Sequence, residues 1–231
     1  PPRLVYVTPS HQYPTGAVLS ASRRLQLMED ARRHGCWLIE DDYDSEFRHT
    51  GESIGAMQGL LPQAPVLYVG TFSKTLFPSL RLGFLVLPEA LLPKLQGPLG
   101  ELLRGGQRHS QLALAQFMES GEFARHLGRM RRLYRSRQSA LRQALQQHLA
   151  VPHQIEGGQC GLHLCVRFGS AWPDQALAEQ AHRHGMAPSA LSGFALSPGP
   201  ADNGLVLGYG NTSSELFAPL VQRLSGLMQA L

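Results

Sequence analysis

Apolar runs and amphipathic stretches alternate along the first part of the chain. Leu4–Val7 is a short apolar run that gives way to a turn-forming stretch, Thr8-Pro9-Ser10-His11-Gln12-Tyr13-Pro14-Thr15-Gly16. From Ser20 to His34 the positions Leu25, Met28 and Ala31 recur near the period of a helix. Ser20 or Ser22 can cap its start, and Gly35 can end it. Cys36–Glu40 is apolar on both faces, the pattern of a buried strand in a parallel sheet, and Val66–Val69 and Phe84–Leu87 share that character. Strand, helix and strand with short links predict an α/β winding.

A stretch rich in Pro and Gly, Pro88 to Gly106, reads as a loop. Helices are predicted over Gln111–Glu119 and Glu122–His148, the second with Phe123, Leu127, Met130, Leu133, Tyr134, Leu141 and Leu145 toward one side. Beyond Pro152 the pattern changes to strand Leu162–Phe168, helix Asp174–His184, strand Leu205–Tyr209 and a closing helix Ser214–Ala230, with Ser213 or Ser214 near its cap. That order predicts an α+β unit. A domain change near Gly121 divides the chain into 1–121 and 122–231.

At 231 residues the chain can bury a substantial core, and 43% hydrophobic with 16% charged residues excludes a disordered segment. No apolar run reaches the roughly 20 residues that span a bilayer, and no signal-peptide pattern opens the chain. It begins Pro1-Pro2-Arg3 and enters an apolar run at once, as expected of a piece that starts inside a larger protein. Cys36, Cys160 and Cys165 match no zinc spacing and read as buried free thiols of a reducing cytoplasm; no metal site is expected. The net charge of +4 comes almost wholly from arginine, much of it between Arg125 and Arg142. A basic helix of this kind can meet phosphate backbones, but without interleaved aromatic residues a solvated face is the simpler reading.

The chemistry gathers where the strands end, which is where open α/β sheets bind ligands. One end carries Ser10 to Gly16, a second Glu40-Asp41-Asp42-Tyr43-Asp44, and a third Gly70-Thr71-Phe72-Ser73-Lys74, with Arg81 just ahead of a fourth strand. A lysine directly after an apolar strand is placed for partial desolvation; this and a neighbouring cation such as Arg81 both favour the free amine that imine chemistry requires. Asp41 can pair with a protonated pyridine nitrogen, and Tyr43, two residues on, can offer its hydroxyl to a ring oxygen. Thr71, Ser73 and Arg81 can hold a phosphate.

These segments resemble the fold-type I aminotransferases, and among them the MocR branch of the GntR-type bacterial transcription regulators. TPSHQYPTG is similar to the family's Asn-Pro-Thr-Gly turn, IEDDYDSEFR to its pyridine-nitrogen segment and GTFSKTLFPSLRLGF to its lysine segment. GEFARHLGRMRRLYRSR and GGQCGLHL match stretches typical of the branch. The resemblance covers essentially the whole chain. It implies the class I aminotransferase architecture: a mostly parallel sheet from the large domain and a smaller α+β C-terminal domain. It implies pyridoxal 5′-phosphate as cofactor, held through an imine at Lys74, with Asp41 on the ring nitrogen, Tyr43 on the ring oxygen, and Thr71, Ser73 and Arg81 on the phosphate. Tyr13 stands where catalytic members carry an Asn that touches the same ring oxygen, so that contact is altered. His163 is typical of the branch and reads as a packed, hydrogen-bonded core histidine.

Two departures bear on activity. Val206 occupies the place where catalytic members carry the Arg that binds the substrate carboxylate. The family's N-terminal half, with its Gly-rich phosphate turn and, in the regulators, a winged-helix DNA-binding domain, has no counterpart in these residues. The resemblance therefore implies an effector domain that binds the cofactor and an amine or amino acid, works as a homodimer, and reaches DNA only through that N-terminal part. The alternative is a working aminotransferase acting on an amino acid and a 2-oxo acid. A third reading is a cofactor-free module whose arginine run contacts nucleic acid.

Overall fold

A computed structural model describes residues 2–52 and 54–230, which divide into two compact units. The first comprises Pro1–Gln12, Val18–Glu46 and Gly51–Arg129; the second comprises Tyr13–Ala17, Phe47–Thr50 and Met130–Leu231.

The first unit carries β1 (Leu4–Val7), α1 (Ala21–His34), β2 (Trp37–Asp42), α2 (Met57–Leu60), β3 (Val66–Thr71), β4 (Gly83–Val86), α3 (Leu92–Leu103), α4 (Arg108–Glu119) and the start of α5 (Glu122–His148). Its sheet runs in the order β1-β2-β3-β4. β1 pairs with β2 and β2 with β3 in parallel, with Val5 opposite Leu38 and Leu38 opposite Val66. Of the two possible caps Ser20 is the one used: its hydroxyl accepts from the Arg23 amide, and Gly35 closes α1 in the left-handed region at φ 64. Met28 and Ala31 of α1 then pack on Leu38 and Val66, together with Cys36, Met57 and Ala64. Each large side chain buried there stabilises the fold by about 1.5–3 kcal/mol.

The structure departs from the sequence pattern in two places. β4 was expected to join the sheet in parallel, but it pairs antiparallel with β3 and is exposed along its length. A parallel return needs a crossover, usually a helix. The link from Thr71 to Gly83 holds only the turn around Lys74 and a short 3-10 turn, Pro78–Leu80. The Pro/Gly-rich stretch read as a loop contains α3. Proline is tolerated in a helix's first turn, where the backbone N–H has no partner to lose, and Pro93 sits there; Pro98 lies inside the helix.

A buried ion pair braces the sheet's edge. Arg24 is fully buried; its guanidinium donates to the carbonyls of Leu19 (3.0 Å), Gly55 (3.0 Å) and Pro9 (2.9 Å) and stands 3.8 Å from Glu40. Glu40 in turn accepts the amides of Met57 (2.9 Å) and Gln58 (3.1 Å). One cation thus ties the loop after β1 and the chain leading into α2 to the strand that carries the acidic run.

The second unit holds the remainder of α5, then β5 (His153–Glu156), β6 (His163–Phe168), α6 (Asp174–Arg183), β7 (Ser189–Ala190), β8 (Gly204–Gly208) and α7 (Phe217–Gln229). Its sheet, β5-β6-β8-β7, is antiparallel throughout and is covered by helices, as an α+β unit is. Leu164, Val166 and Leu205 from the strands and Leu177, Val221 and Met228 from the helices form its interior. The three cysteines are buried free thiols, and burial pushes the Cys165 thiol up to about 11. No helix among the described residues is long and apolar enough to cross a membrane.

Arg24→Ala would leave Glu40 buried without its cation, and is expected to lower the unfolding free energy by about 3–5 kcal/mol in a denaturant titration. Burial holds the Glu40 carboxyl above the usual range, against the two amides and Arg24. A raised folded-state value means that this group's stabilisation is full below the unfolded glutamate value of about 4.3 and is lost as pH rises through the folded value. Glu40→Gln should therefore flatten the loss of stability between those two values in a pH series of urea midpoints; a steeper loss there would contradict the assignment.

Candidate functional site

In the first unit, the parallel pairing of β1, β2 and β3 brings their carboxyl ends to one edge of the sheet. β1 runs there into Thr8–Gln12, β2 into Tyr43 and Asp44, and β3 into Phe72, Ser73 and Lys74. β4, being antiparallel, starts at the same edge, just after Arg81.

Strand alternation divides the acidic run between two faces. Leu38, Glu40 and Asp42 point to the buried face, while Trp37, Ile39 and Asp41 share the half-open one. The half-open face also carries Leu4 and Tyr6 of β1, which are 56% and 62% exposed. Asp42 is structural: it accepts the Ser45 amide (3.3 Å), the Ser45 hydroxyl (2.7 Å) and the Tyr68 hydroxyl (2.9 Å). Burial and the Asp42 carboxylate hold the Tyr68 phenol well above its ordinary range. Asp41 takes one hydrogen bond, from the Tyr6 hydroxyl. Partial burial and then that carboxylate push the Tyr6 phenol up to about 12. A carboxylate offers about four acceptor sites, so Asp41 can accept further donors on the open face.

Tyr43 follows the strand directly, and its hydroxyl donates to the His11 carbonyl at 2.8 Å. His11 and Asp44 form a buried pair beside it, with Nδ1 2.9 Å from Asp44 Oδ2. Burial raises the Asp44 carboxyl, while His11 and the positive charge of Lys74 pull it back, which places Lys74 within electrostatic reach of this pair.

Lys74 itself is exposed, which corrects the expected desolvation. The chain turns helically here, the Leu76 amide bonding the Phe72 carbonyl. Successive residues of such a turn point about 100° apart. Thr75 takes the buried side, 1% exposed, and Lys74 the open one. His126 donates to the Thr75 carbonyl at 2.8 Å and braces the turn. The Thr71 hydroxyl accepts the Ser73 amide at 3.1 Å and so shapes the segment between the two. Arg81 is exposed and sits in the left-handed region at φ 52, a conformation costly for a residue with a Cβ. This cost is spent on the residue expected to meet an anion.

Thus Asp41, Tyr43, Thr71, Ser73, Lys74 and Arg81 all lie at or beside one sheet edge. Tyr13 belongs to the second unit, where its ring meets His163 and Phe194 edge-on at 5.0 and 5.1 Å. His163 is buried and its Nε2 donates to the Pro14 carbonyl at 3.1 Å, the packed role expected of it. Val206 is buried against Cys165 and Leu191, a site hostile to a guanidinium. Sequence reasoning assigned no role to His11, Asp44, Tyr6 or His126. His11 lay within a quoted motif, but its contact with Asp44 spans 33 positions and carries no local signal.

The family model for aminotransferase class I and II matches residues 3–188. The chain is 39% identical over 223 residues to the HTH-type transcriptional regulator YhdI of Bacillus subtilis, across 96% of this chain and 47% of that protein. It is 42% identical over 208 residues to the probable rhizopine catabolism regulatory protein MocR of Rhizobium meliloti, across 90% of this chain and 42% of that protein. The chain therefore spans about half the length of these curated relatives or less. Among solved structures it resembles LysN, the α-aminoadipate aminotransferase of Thermus thermophilus complexed with N-(5′-phosphopyridoxyl)-L-leucine. There the TM-score is 0.84 and the identity 28%, over 99% of this chain and 59% of that one. A kynurenine aminotransferase of Pyrococcus horikoshii shares the fold at a TM-score of 0.87 and 22% identity, over 99% of this chain and 56% of that one. The α/β architecture is thus that of the aminotransferases.

The split between neighbouring acids is testable. Asp42→Ala strands the Ser45 and Tyr68 donors and should cost about 1–3 kcal/mol of stability, whereas Asp41→Ala should cost under about 1 kcal/mol. Paired urea titrations check the order; the reverse order would mean that the strand's faces are exchanged.

Proposed function

The chain belongs to the class I and II aminotransferases, and on that premise we propose that it is the pyridoxal-5′-phosphate-binding effector part of a MocR-type regulator of the GntR family. The observation that carries this reading is the placement of Asp41 and Lys74 at the ends of two adjacent parallel strands. Between them stand the functional groups that this cofactor asks for: an amine for its aldehyde, a carboxylate for its ring nitrogen, and hydroxyls with a guanidinium for its phosphate.

Bound pyridoxal phosphate supplies an electrophilic carbon and an electron-withdrawing ring. Lys74 would hold it through the ε-amine. Asp41, steadied by the Tyr6 hydroxyl, would keep a proton on the ring nitrogen. Tyr43 would touch the ring oxygen, and Thr71, Ser73 and Arg81 the phosphate. Lys74's exposure leaves its amine open to an incoming aldehyde, and then to an amine or amino acid that competes for the same carbon. Residues 1–121 serve as the cofactor-binding part and 122–231 as the smaller part. The working form is a cytoplasmic homodimer, and DNA recognition falls to the portion of such regulators that this chain does not span. Signalling then rests on an effector that binds two states of the dimer unequally.

A catalytic aminotransferase is the second reading, favoured by the likeness to LysN over 99% of the chain. Against it stands Val206, whose buried apolar setting offers no fork for a substrate carboxylate.

Titrating the protein with pyridoxal phosphate should produce visible absorbance that Lys74→Ala abolishes; equal absorbance in the variant would overturn the assignment. With amino donors and 2-oxo acids, a spectral change with turnover below about one per second supports the effector, since ordinary enzymes reach about 1–1,000 per second. Turnover in that range would favour the enzyme.

A further inference from the structure

Tyr43 is held from behind by groups that the cofactor reading does not use. Asp44 and His11 are both buried, with side chains 3% and 0% exposed, and lie 2.9 Å apart. With Asp44 ionised the carboxylate can only accept, and in that arrangement His11 Nδ1–H is the donor between them. The same Nδ1 stands 3.2 Å from the Tyr43 oxygen, and the Tyr43 hydroxyl donates to the His11 carbonyl. The phenol is thereby gripped twice by one residue, and that residue is itself locked by Asp44. Among the groups acting on Asp44, His11 and Lys74 favour its negative charge and Asp42 opposes it.

We propose that His11 and Asp44 are positioning residues: through the chain Asp44–His11–Tyr43 they hold the Tyr43 hydroxyl at the sheet edge, and this hold sets how tightly the Lys74 site grips its ligand. The inference rests on the reading in which Tyr43 touches the cofactor. A hydroxyl rotates about its C–O bond, so Tyr43 can turn its single proton from the His11 carbonyl to a ligand oxygen. His11 Nδ1–H then remains as the partner of the phenol oxygen, and Asp44 keeps that N–H aimed. The one Nδ1–H faces both oxygens, Asp44 at 2.9 Å and Tyr43 at 3.2 Å, so Asp44 acts by fixing the orientation of the imidazole, and without it the ring is free to turn away from the phenol. A buried pair of this kind also costs desolvation, which is consistent with a role beyond stability alone.

The test is a double-mutant cycle on ligand affinity in the full-length protein, followed by the visible absorbance of added pyridoxal phosphate, with thermal unfolding of the ligand-free variants alongside. Tyr43→Phe and Asp44→Asn should each weaken binding about tenfold, the effect of one net hydrogen bond. The double variant should be no weaker than about twofold beyond Tyr43→Phe, because both changes cut the same chain. His11→Asn, which keeps a side-chain N–H near the place of Nδ1, should bind within about threefold of wild type, while His11→Ala should lose about tenfold. If Asp44→Asn fails to fold, His11→Ala takes its place in the cycle. Multiplying losses, or affinity unchanged in both Asp44→Asn and His11→Ala, would overturn this inference while leaving the cofactor reading intact. Wild type that takes up no ligand would overturn both.

Discussion

The pairing of β2 with β3 is the constraint on which the site depends. With Asp41 opposite Val69 and Asp42 opposite Gly70, the acid and the lysine-bearing turn leave the sheet at the same edge. A slip of one residue would turn Asp41 into the core and Asp42 onto the open face. Register is defended from below by Leu38 and Val66 in the apolar core, and by Glu40, whose carboxylate is claimed by two amides and the buried Arg24. Glu40, buried against Arg24, thus lies one residue from the acid assigned to chemistry. Stability and site geometry share a strand but use opposite faces of it.

Much of this was legible in the residues. Four-residue apolar runs with turn residues after them marked β1 and β3, and the spacing of Leu25, Met28 and Ala31 between Ser20 and Gly35 marked α1 almost to the residue. Three things were not legible, each for a physical reason. Strand direction is set by the link between strands, and an apolar run such as Phe84–Val86 reads the same in either sense. α3 is dense in proline and glycine; Pro93 is tolerated because it falls in the first turn, whereas Pro98 lies inside the helix. β5 and β7 are short and largely polar or small, and they exist because neighbours offer them hydrogen bonds. At the site, residue types and order were readable, but not orientation: Thr75 rather than Lys74 takes the buried side of the turn. The pairing of His11 with Asp44 is likewise a product of tertiary structure alone.

The balance between sensing and catalysis turns on what the site keeps and lacks. It keeps groups suited to each end of a pyridine aldehyde phosphate. In the second unit, position 206, where a substrate-binding guanidinium is expected, holds a valine packed among Cys165 and Leu191. An arginine there would have to be desolvated among these apolar side chains, so the valine suits the packing of the second unit. In the proposed reading the first unit would hold the cofactor while position 206 lacks a fork for a substrate carboxylate, a division that suits a domain whose output is a change of state.

In the proposed reading one amine holds the cofactor. The chain has only two lysines, Lys74 and Lys94, so the question has a clean answer. The protein would be loaded with pyridoxal phosphate, reduced with borohydride, weighed intact and then mapped by peptide. One phosphopyridoxyl group per chain is expected, on the peptide containing Lys74. No added mass, or a group on Lys94, would contradict it.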